Sequence, residues 1–147
     1  LGVAIEKAVH DQEVKTKRIR DLRDRLLERI FTEIPNCRLN GHKTDRLPGN
    51  INICFEFIEG ESLILLLDHA GIAASTGSAC SSGSLEPSHV LMAIGVPIEI
   101  AHGSLRLTLG HENTEEHVEY VCKELKKAVE KLRAMSPLYA DYMKKRQ

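Results

Sequence analysis

The stretch Ile51-Asn52-Ile53-Cys54-Phe55-Glu56-Phe57 decides the fold class of this chain. Its apolar residues alternate with more polar ones, which is the period-two pattern of a β-strand with one buried face, and Cys54 points away from that face. The stretch Ser104-Leu105-Arg106-Leu107-Thr108-Leu109 alternates in the same way, so Arg106 is directed off the core. Two strands of a half-buried sheet are therefore predicted.

Helical patterns surround these strands. Residues 1–34 contain no proline, and apolar residues recur along one face of the predicted helix until Pro35 stops it. Gly71 closes another predicted helix, and Asn113 or Thr114 can cap the last long one. The predicted helices cover residues 1–34, 60–70, 87–94 and a stretch from residue 113 or 114 onward, with further short strands at 37–39 and 72–74. The tail from Ser136 is expected to be short and to order late.

These elements predict a single α/β domain over residues 1–147, an α+β sandwich in which a small sheet carries helices on one face. A length of 147 residues with 42% hydrophobic content suffices for one sizeable core and is too short for two ordinary domains.

The composition argues against two classes of partner. Lys plus Arg number 20 and Asp plus Glu 21, without a prominent basic run, so no nucleic-acid partner is expected. The longest apolar stretches, such as residues 63–67, fall far short of the ~20 residues that span a bilayer, so no membrane partner is expected either. The amino-terminal residues lack a signal-peptide pattern, and the cytoplasm, or an organelle matrix, is the expected location.

Neither the cysteines nor the histidines show the spacing of metal ligands. The cysteines are widely separated and are interpreted as free thiols in a reducing compartment. The histidines form no HxH or HExxH arrangement, so no metal is expected. The sequence has no nucleophile-elbow motif, so there is no specific case for a hydrolase triad. Glycine-rich phosphate-binding motifs are missing too.

Residues 75–84 are small or polar throughout and are predicted to form a mobile loop. A thiol reacts as thiolate, and Cys80 in such a loop could reach a substrate that a core cysteine never meets. The hypothesis is a swinging arm that gains a group in one place and gives it away in another, and the alternative is an incidental surface thiol. The other loop residues are Ser75, Thr76, Gly77, Ser78, Ala79, Ser81, Ser82, Gly83 and Ser84.

The remaining candidates have structural interpretations beside any functional one. Cys37, Cys54 and Cys122 lie in or beside periodic segments and are expected to be structural. Arg106 could hold a carboxylate through two parallel hydrogen bonds, or it could simply be a solvated strand arginine.

Four segments, in this order, resemble the cysteine desulfurases, which are pyridoxal-phosphate-dependent enzymes of the class V aminotransferase family. They are Leu47-Pro48-Gly49-Asn50-Ile51-Asn52, Glu59-Gly60-Glu61-Ser62-Leu63, residues 75–91 around Cys80, and residues 103–110 around Arg106. The resemblance covers nearly the whole chain. The long Ser-rich cysteine loop resembles the iron-sulfur-cluster and nitrogen-fixation branch.

This resemblance implies a function for both candidates. Cys80 matches the position that attacks the sulfur of a cysteine-pyridoxal adduct, becomes a persulfide and leaves alanine as the co-product. Arg106 matches the position that binds the carboxylate of the substrate L-cysteine. The implied fold is the small domain of fold-type-I pyridoxal-phosphate enzymes, and the implied partners are an iron-sulfur scaffold protein as sulfur acceptor and a second subunit in a homodimer.

The cofactor itself is expected to bind elsewhere. No lysine of this chain lies in the Ser-x-His-Lys context that forms the family's cofactor Schiff base, so the chain alone is expected to be inactive. Residues 1–17 are expected to start the helix that joins the cofactor domain, with the apolar residues 1–9 exposed or covered by self-association. Two alternatives remain: a stand-alone sulfur-carrier or scaffold-docking module, and the small domain of a related pyridoxal-phosphate lyase or aminotransferase.

Overall fold

The computed structural model describes residues 1–10, 12–76 and 87–146. Within these residues, helices surround a three-stranded sheet. The helices are α1 (Gly2–His10), α2 (Gln12–Glu33), α3 (Gly60–His69), α4 (His89–Ala93), α5 (Ile98–Ala101), α6 (Glu115–Ala134) and α7 (Pro137–Lys144), and the strands are β1 (Cys37–Leu39), β2 (Asn50–Phe55) and β3 (Ser104–Thr108).

The sheet has the order β1-β2-β3, and both pairings are antiparallel. In its register Asn52 lies opposite Arg106, and Cys54 lies opposite both Arg38 and Ser104. Because side chains alternate along each strand, these five residues share one face, which we call the outward face.

The opposite, inward face carries the main core. Its side chains pack against α2, α3 and α6, each of which contributes an apolar stripe. The buried inward-face residues are Ile51, Ile53, Phe55, Leu105 and Leu107. The predicted α/β class, a small sheet with helices on one face, is confirmed for these three helices.

The outward face is covered at one end by the short helices α4 and α5. Cys54 packs there in a second, smaller cluster with Leu91, Val96 and Ala101. The helix α5 was not predicted, and α4 is shorter than the predicted 87–94 because Ser88 precedes its first turn and Gly95, with φ of 76°, follows it.

Two predicted strand assignments are wrong. Strand β2 ends at Phe55, because Phe57 has a φ of 70° and its ring lies 4.8 Å from that of Tyr142 in α7. Residues 72–74 form no strand, and their segment makes one isolated bridge, between Ser75 and Arg106. Apolar alternation extended the predicted strand to Phe57, and residues 72–74 were predicted as a brief strand, but neither segment has continuous backbone pairing with a neighbouring strand.

The tail beyond Ser136, for which the sequence predicted no helix, forms the helix α7. The Ser136 side chain caps it by accepting a hydrogen bond from the Tyr139 backbone N–H at 3.4 Å. The Tyr142 hydroxyl donates to Asn36 Oδ1 at 3.1 Å, and Arg133 donates to the Asn36 and Glu56 carbonyls at 2.9 and 3.2 Å. Contacts across roughly a hundred residues of sequence therefore order this tail.

The amino-terminal helix α1 buries none of its side chains. Leu1, Val3, Ile5 and Val9 are all exposed, as expected from the sequence for the single chain. No described helix is both long and apolar enough to cross a membrane.

Candidate functional site

Arg106 lies in the middle of β3, between two neighbouring segments. On one side β2 places Asn52 opposite it. On the other side its backbone N–H donates to the Ser75 carbonyl at 2.6 Å, and its carbonyl accepts from the Ser75 N–H at 3.2 Å. Ser75, the first residue of the predicted cysteine loop, is thereby joined to the strand that carries the predicted carboxylate-binding arginine.

The Arg106 side chain is half-buried on the outward face, as the alternation predicted. In residues 1–10, 12–76 and 87–146 its guanidinium has no hydrogen-bond or ion-pair partner. The three strands carry Arg38 and Arg106 but no Asp or Glu. A half-buried cation with no counter-charge in the described chain favours an anionic ligand, and guanidinium suits a carboxylate through two parallel bonds.

The segment that leads to Cys80 is anchored close to Arg106. The Ser75 hydroxyl donates to the Thr76 carbonyl at 2.8 Å. A Cβ at Gly60 would lie 3.0 Å from Thr76 Cγ2 and 2.7 Å from the Ser104 carbonyl oxygen, so only glycine admits this approach. The other predicted loop residues lie outside the described part of the chain: Gly77, Ser78, Ala79, Cys80, Ser81, Ser82, Gly83 and Ser84.

A polar network beside Arg106 was not predicted from the sequence. Asn40 Nδ2 donates to Asn52 Oδ1 at 2.7 Å and to Cys54 Sγ at 3.0 Å. Asn40 is buried, and its own Oδ1 has no partner within the described residues. The alternation of the predicted strand places Asn52 on its outward face, which could have marked it as a candidate. Its pairing with Asn40 and Arg106 depends on strand register, which the sequence does not give.

The described cysteines have environments that suppress thiolate formation. Burial raises the pKa of Cys37 to about 11, partly offset by the nearby Arg133 charge, and burial likewise raises the pKa of Cys122 to about 11. Burial also raises the pKa of Cys54, although the hydrogen bond from Asn40 acts in the opposite direction. All three are protonated at neutral pH and are poor nucleophiles, in agreement with the structural roles predicted for them.

The described residues do not form a pyridoxal-phosphate site around Arg106. A Schiff base to this cofactor requires a lysine held within the site. The lysines of this chain lie on or at the ends of α1, α2, α6 and α7, apart from Lys43 in the exposed turn after β1. The sheet that carries Arg106 has no lysine, so the residues present do not fit the cofactor. No group of three or more His, Cys, Asp or Glu in the described ranges could hold a metal ion.

Comparison with known proteins places these features in a family. Residues 3–121 match the family model of the class-V aminotransferases. The chain is 52% identical to Cysteine desulfurase IscS of Clostridium botulinum, covering 100% of this chain and 38% of that protein. It is 57% identical to Cysteine desulfurase IscS of Methanosarcina thermophila, covering 94% of this chain and 34% of that protein. The chain thus spans little more than a third of these relatives' length.

Solved structures agree with the sequence relatives. A NifS-like protein superposes with a TM-score of 0.75 at 30% identity, over 88% of this chain and 32% of that one. A second NifS-like protein, from Rickettsia africae ESF-5, superposes with a TM-score of 0.71 over 82% of this chain and 30% of that one, and at 23% identity it supports the fold alone. The chain therefore belongs to the class-V aminotransferase family, and within that family it is similar to the cysteine desulfurases.

Proposed function

We propose that this chain is the carboxy-terminal small domain, residues 1–147, of a pyridoxal-phosphate-dependent cysteine desulfurase. The Arg106 guanidinium, which has no partner among the described residues and lies on the strand that anchors the start of the cysteine loop, carries the proposal. Family membership and the relatives named cysteine desulfurase support it. In this proposal residues 1–17 begin the helix that leads to the cofactor domain.

Arg106 binds the carboxylate of L-cysteine in this proposal. Its half-buried position limits competition from water, and the strands around it bring no competing carboxylate. The positive charge and planar donor geometry orient the substrate by its carboxylate, which leaves the substrate sulfur free for reaction.

Cys80 is the proposed sulfur acceptor. Its thiolate forms a bond to the substrate sulfur while the carbon–sulfur bond breaks, and the electron pair of that bond stays with carbon, which takes a proton and becomes L-alanine. The substrate sulfur stays bonded to Cys80, which is then a persulfide, and L-alanine is the product that leaves. Pyridoxal phosphate, held by another part of the full protein, supplies the electron sink for this cleavage, so the 147 residues alone are inactive.

The chain length between Ser75 and Cys80 is compatible with this role. Five residues span at most about 18 Å when fully extended, so covalent connection alone keeps Cys80 within that distance of Ser75, which pairs with Arg106. The other three thiols have raised pKa values and buried or half-buried positions. Cys80 is therefore the thiol best suited to nucleophilic attack. The active-site loop comprises residues 75–84.

The proposal includes partners and a location. A persulfide on a loop suits transfer to an iron-sulfur scaffold protein, and the full protein acts as a homodimer. Free thiols at Cys37, Cys54 and Cys122 support a reducing compartment, which we take to be the cytoplasm or an organelle matrix.

The decisive experiment replaces Cys80 in the full-length holoenzyme. Cys80→Ala should abolish persulfide formation and sulfide release while the cofactor absorbance stays unchanged. Persulfide labelling with mass spectrometry and a sulfide assay measure the two products.

Cys37→Ala is the matched control, because it removes another thiol of this chain and should leave both products intact. Sulfide release by Cys80→Ala at the wild-type rate would refute the assignment. Retained activity on another amino-acid substrate would identify a related lyase or aminotransferase, whereas persulfide accepted by the 147-residue chain from a donor protein would identify a sulfur carrier.

A further inference from the structure

The side-chain amide of Asn52 is held in one orientation by Asn40. Asn40 lies on the β1 side of Asn52, where its backbone N–H donates to the Asn52 carbonyl at 2.9 Å and its Nδ2 donates to Asn52 Oδ1 at 2.7 Å. Asn40 Nδ2 also donates to Cys54 Sγ, with 3.0 Å between the nitrogen and the sulfur. Because the oxygen of the Asn52 amide accepts the bond from Asn40, its NH₂ group does not face Asn40 and stays available as a donor.

The residue on the β3 side is Arg106. The backbone N–H and C=O of Arg106 both bond to Ser75, so they point away from β2 and leave Asn52 and Arg106 as a non-hydrogen-bonded pair. In such pairs the Cα atoms approach to about 4.5 Å and the side chains stand next to each other on the same face. The Asn52 and Arg106 side chains therefore leave neighbouring strands side by side on the outward face.

Both groups retain unused donors. Neither the Asn52 NH₂ nor the Arg106 guanidinium has a hydrogen-bond partner among residues 1–10, 12–76 and 87–146. A carboxylate has about four lone-pair sites, so one carboxylate can accept two bonds from guanidinium and another from an adjacent amide. A neutral donor next to a cation adds directional selectivity without adding charge.

We infer that Asn52 is a second substrate-binding residue, which donates from Nδ2 to the same carboxylate that Arg106 binds, and that Asn40 is the positioning residue that orients it. This inference rests on the proposed function and adds a contact that determines how the amino acid is held. The ligand class is an α-amino acid with a free carboxylate.

The sharpest variant is Asn52→Asp in the full-length holoenzyme. It preserves the size of the side chain and the oxygen that accepts from Asn40, and it replaces only the NH₂ donor with an anionic oxygen. Asn52→Ala removes the donor without adding charge. The matched control is Asn50→Ala, because Asn50 lies on the same face of the same strand but opposite Thr108.

The measurements are the Kd of the co-product L-alanine, followed by cofactor absorbance, and the KM and kcat for L-cysteine. Loss of one hydrogen bond to a charged group should raise Kd and KM about tenfold in Asn52→Ala, and the added negative charge should raise them further in Asn52→Asp. The kcat of both Asn52 variants should change by less than about threefold. In the control Asn50→Ala, Kd and KM should change by less than about twofold. Cysteine methyl ester, which lacks the carboxylate, should bind all variants with nearly equal affinity.

Two outcomes would overturn the inference: an Asn52→Asp Kd for L-alanine equal to that of Asn50→Ala, or an equal loss of affinity for the methyl ester. Arg106→Ala separates this failure from failure of the proposed function. If Arg106→Ala weakens L-alanine binding and Asn52→Asp does not, the role inferred for Asn52 is wrong and the proposed carboxylate site at Arg106 is retained. If Arg106→Ala has no effect on L-alanine binding, both the proposed carboxylate site and the role inferred for Asn52 are wrong.

Discussion

The two faces of the sheet use the same backbone for different purposes. On the inward face Ile51, Ile53 and Leu105 are at most 1% exposed and pack against three helices. On the outward face Asn52 and Arg106 are only half-buried, and their side-chain N–H donors have no partner within the described parts of the chain. Hydrophobic burial stabilises the fold from one side of each strand, so the other side is available for polar groups that stability alone would not select.

Cys54 marks the boundary of this division. It points outward, as its strand position predicts, yet it is fully buried beneath α4 and α5 and accepts a hydrogen bond from Asn40. The outward face thus has a fully buried end at Cys54 and a half-buried end at Asn52 and Arg106. Adjacent outward positions on one strand can therefore differ in role.

The largest effect on stability should come from the inward face. Ile53→Ala should lower the free energy of unfolding by about 2–5 kcal/mol, because it removes buried methyl groups and leaves a cavity. Arg106→Ala should change it by only about 0.5 kcal/mol, since its guanidinium has no partner in the described chain. Urea unfolding of both variants measures the difference, and equal destabilisation would contradict the division between the faces.

A smaller effect should appear at alkaline pH. Cys122 of α6 packs within the inward core, and burial raises its pKa to about 11. Its thiol ionises at lower pH when unfolded than when folded, so its contribution to stability is complete below the unfolded pKa and is lost as pH rises through the folded value. Between pH 8 and 10.5 this loss should approach about 2 kcal/mol.

Urea midpoints measured at several pH values test this expectation. Cys122→Ala is the control, because its unfolding free energy should fall less steeply across the same pH range. If the two proteins show parallel pH profiles, the buried thiol does not contribute to the alkaline loss.

The smallest effect on stability is expected at α1, which takes no part in either face. Ile5→Ser should change the free energy of unfolding by less than about 0.5 kcal/mol, because α1 buries no side chain. It should nevertheless reduce self-association of the 147-residue chain, since exposed apolar patches promote contact between molecules. Light scattering at increasing concentration measures this, with Lys7→Ser on the same helix as the control, and a strictly monomeric wild-type chain would disprove it.

Much of the fold could be predicted from local pattern. Alternation identified β2 and β3, the direction of Arg106 and the outward position of Cys54, because these depend only on the geometry of a single strand. Gly71 was predicted to end α3, and it has the positive φ of 75° that suits this role. The roles of Cys80 and of loop residues 77–84 stay predictions, because they lie outside the described residues.

The failures share a cause. The side chain of Phe57 continues the apolar alternation of β2, but its backbone turns there to pack against α7, and residues 72–74 have a strand-like composition without a continuous pairing partner. The order in the tail likewise depends on Arg133 and Tyr142 reaching Asn36. A local pattern carries no information about such distant contacts.

The amino-acid sequence by itself determined which side chains face the core and which face outward, because alternation is a property of one strand. Only the tertiary structure decided that Asn52, Arg106 and Ser75 lie side by side and that Asn40 orients Asn52. These residues are separated by up to 66 positions, from Asn40 to Arg106. Their register is set by the packing of the whole sheet against its helices, since slipping by one residue would expose the inward apolar side chains.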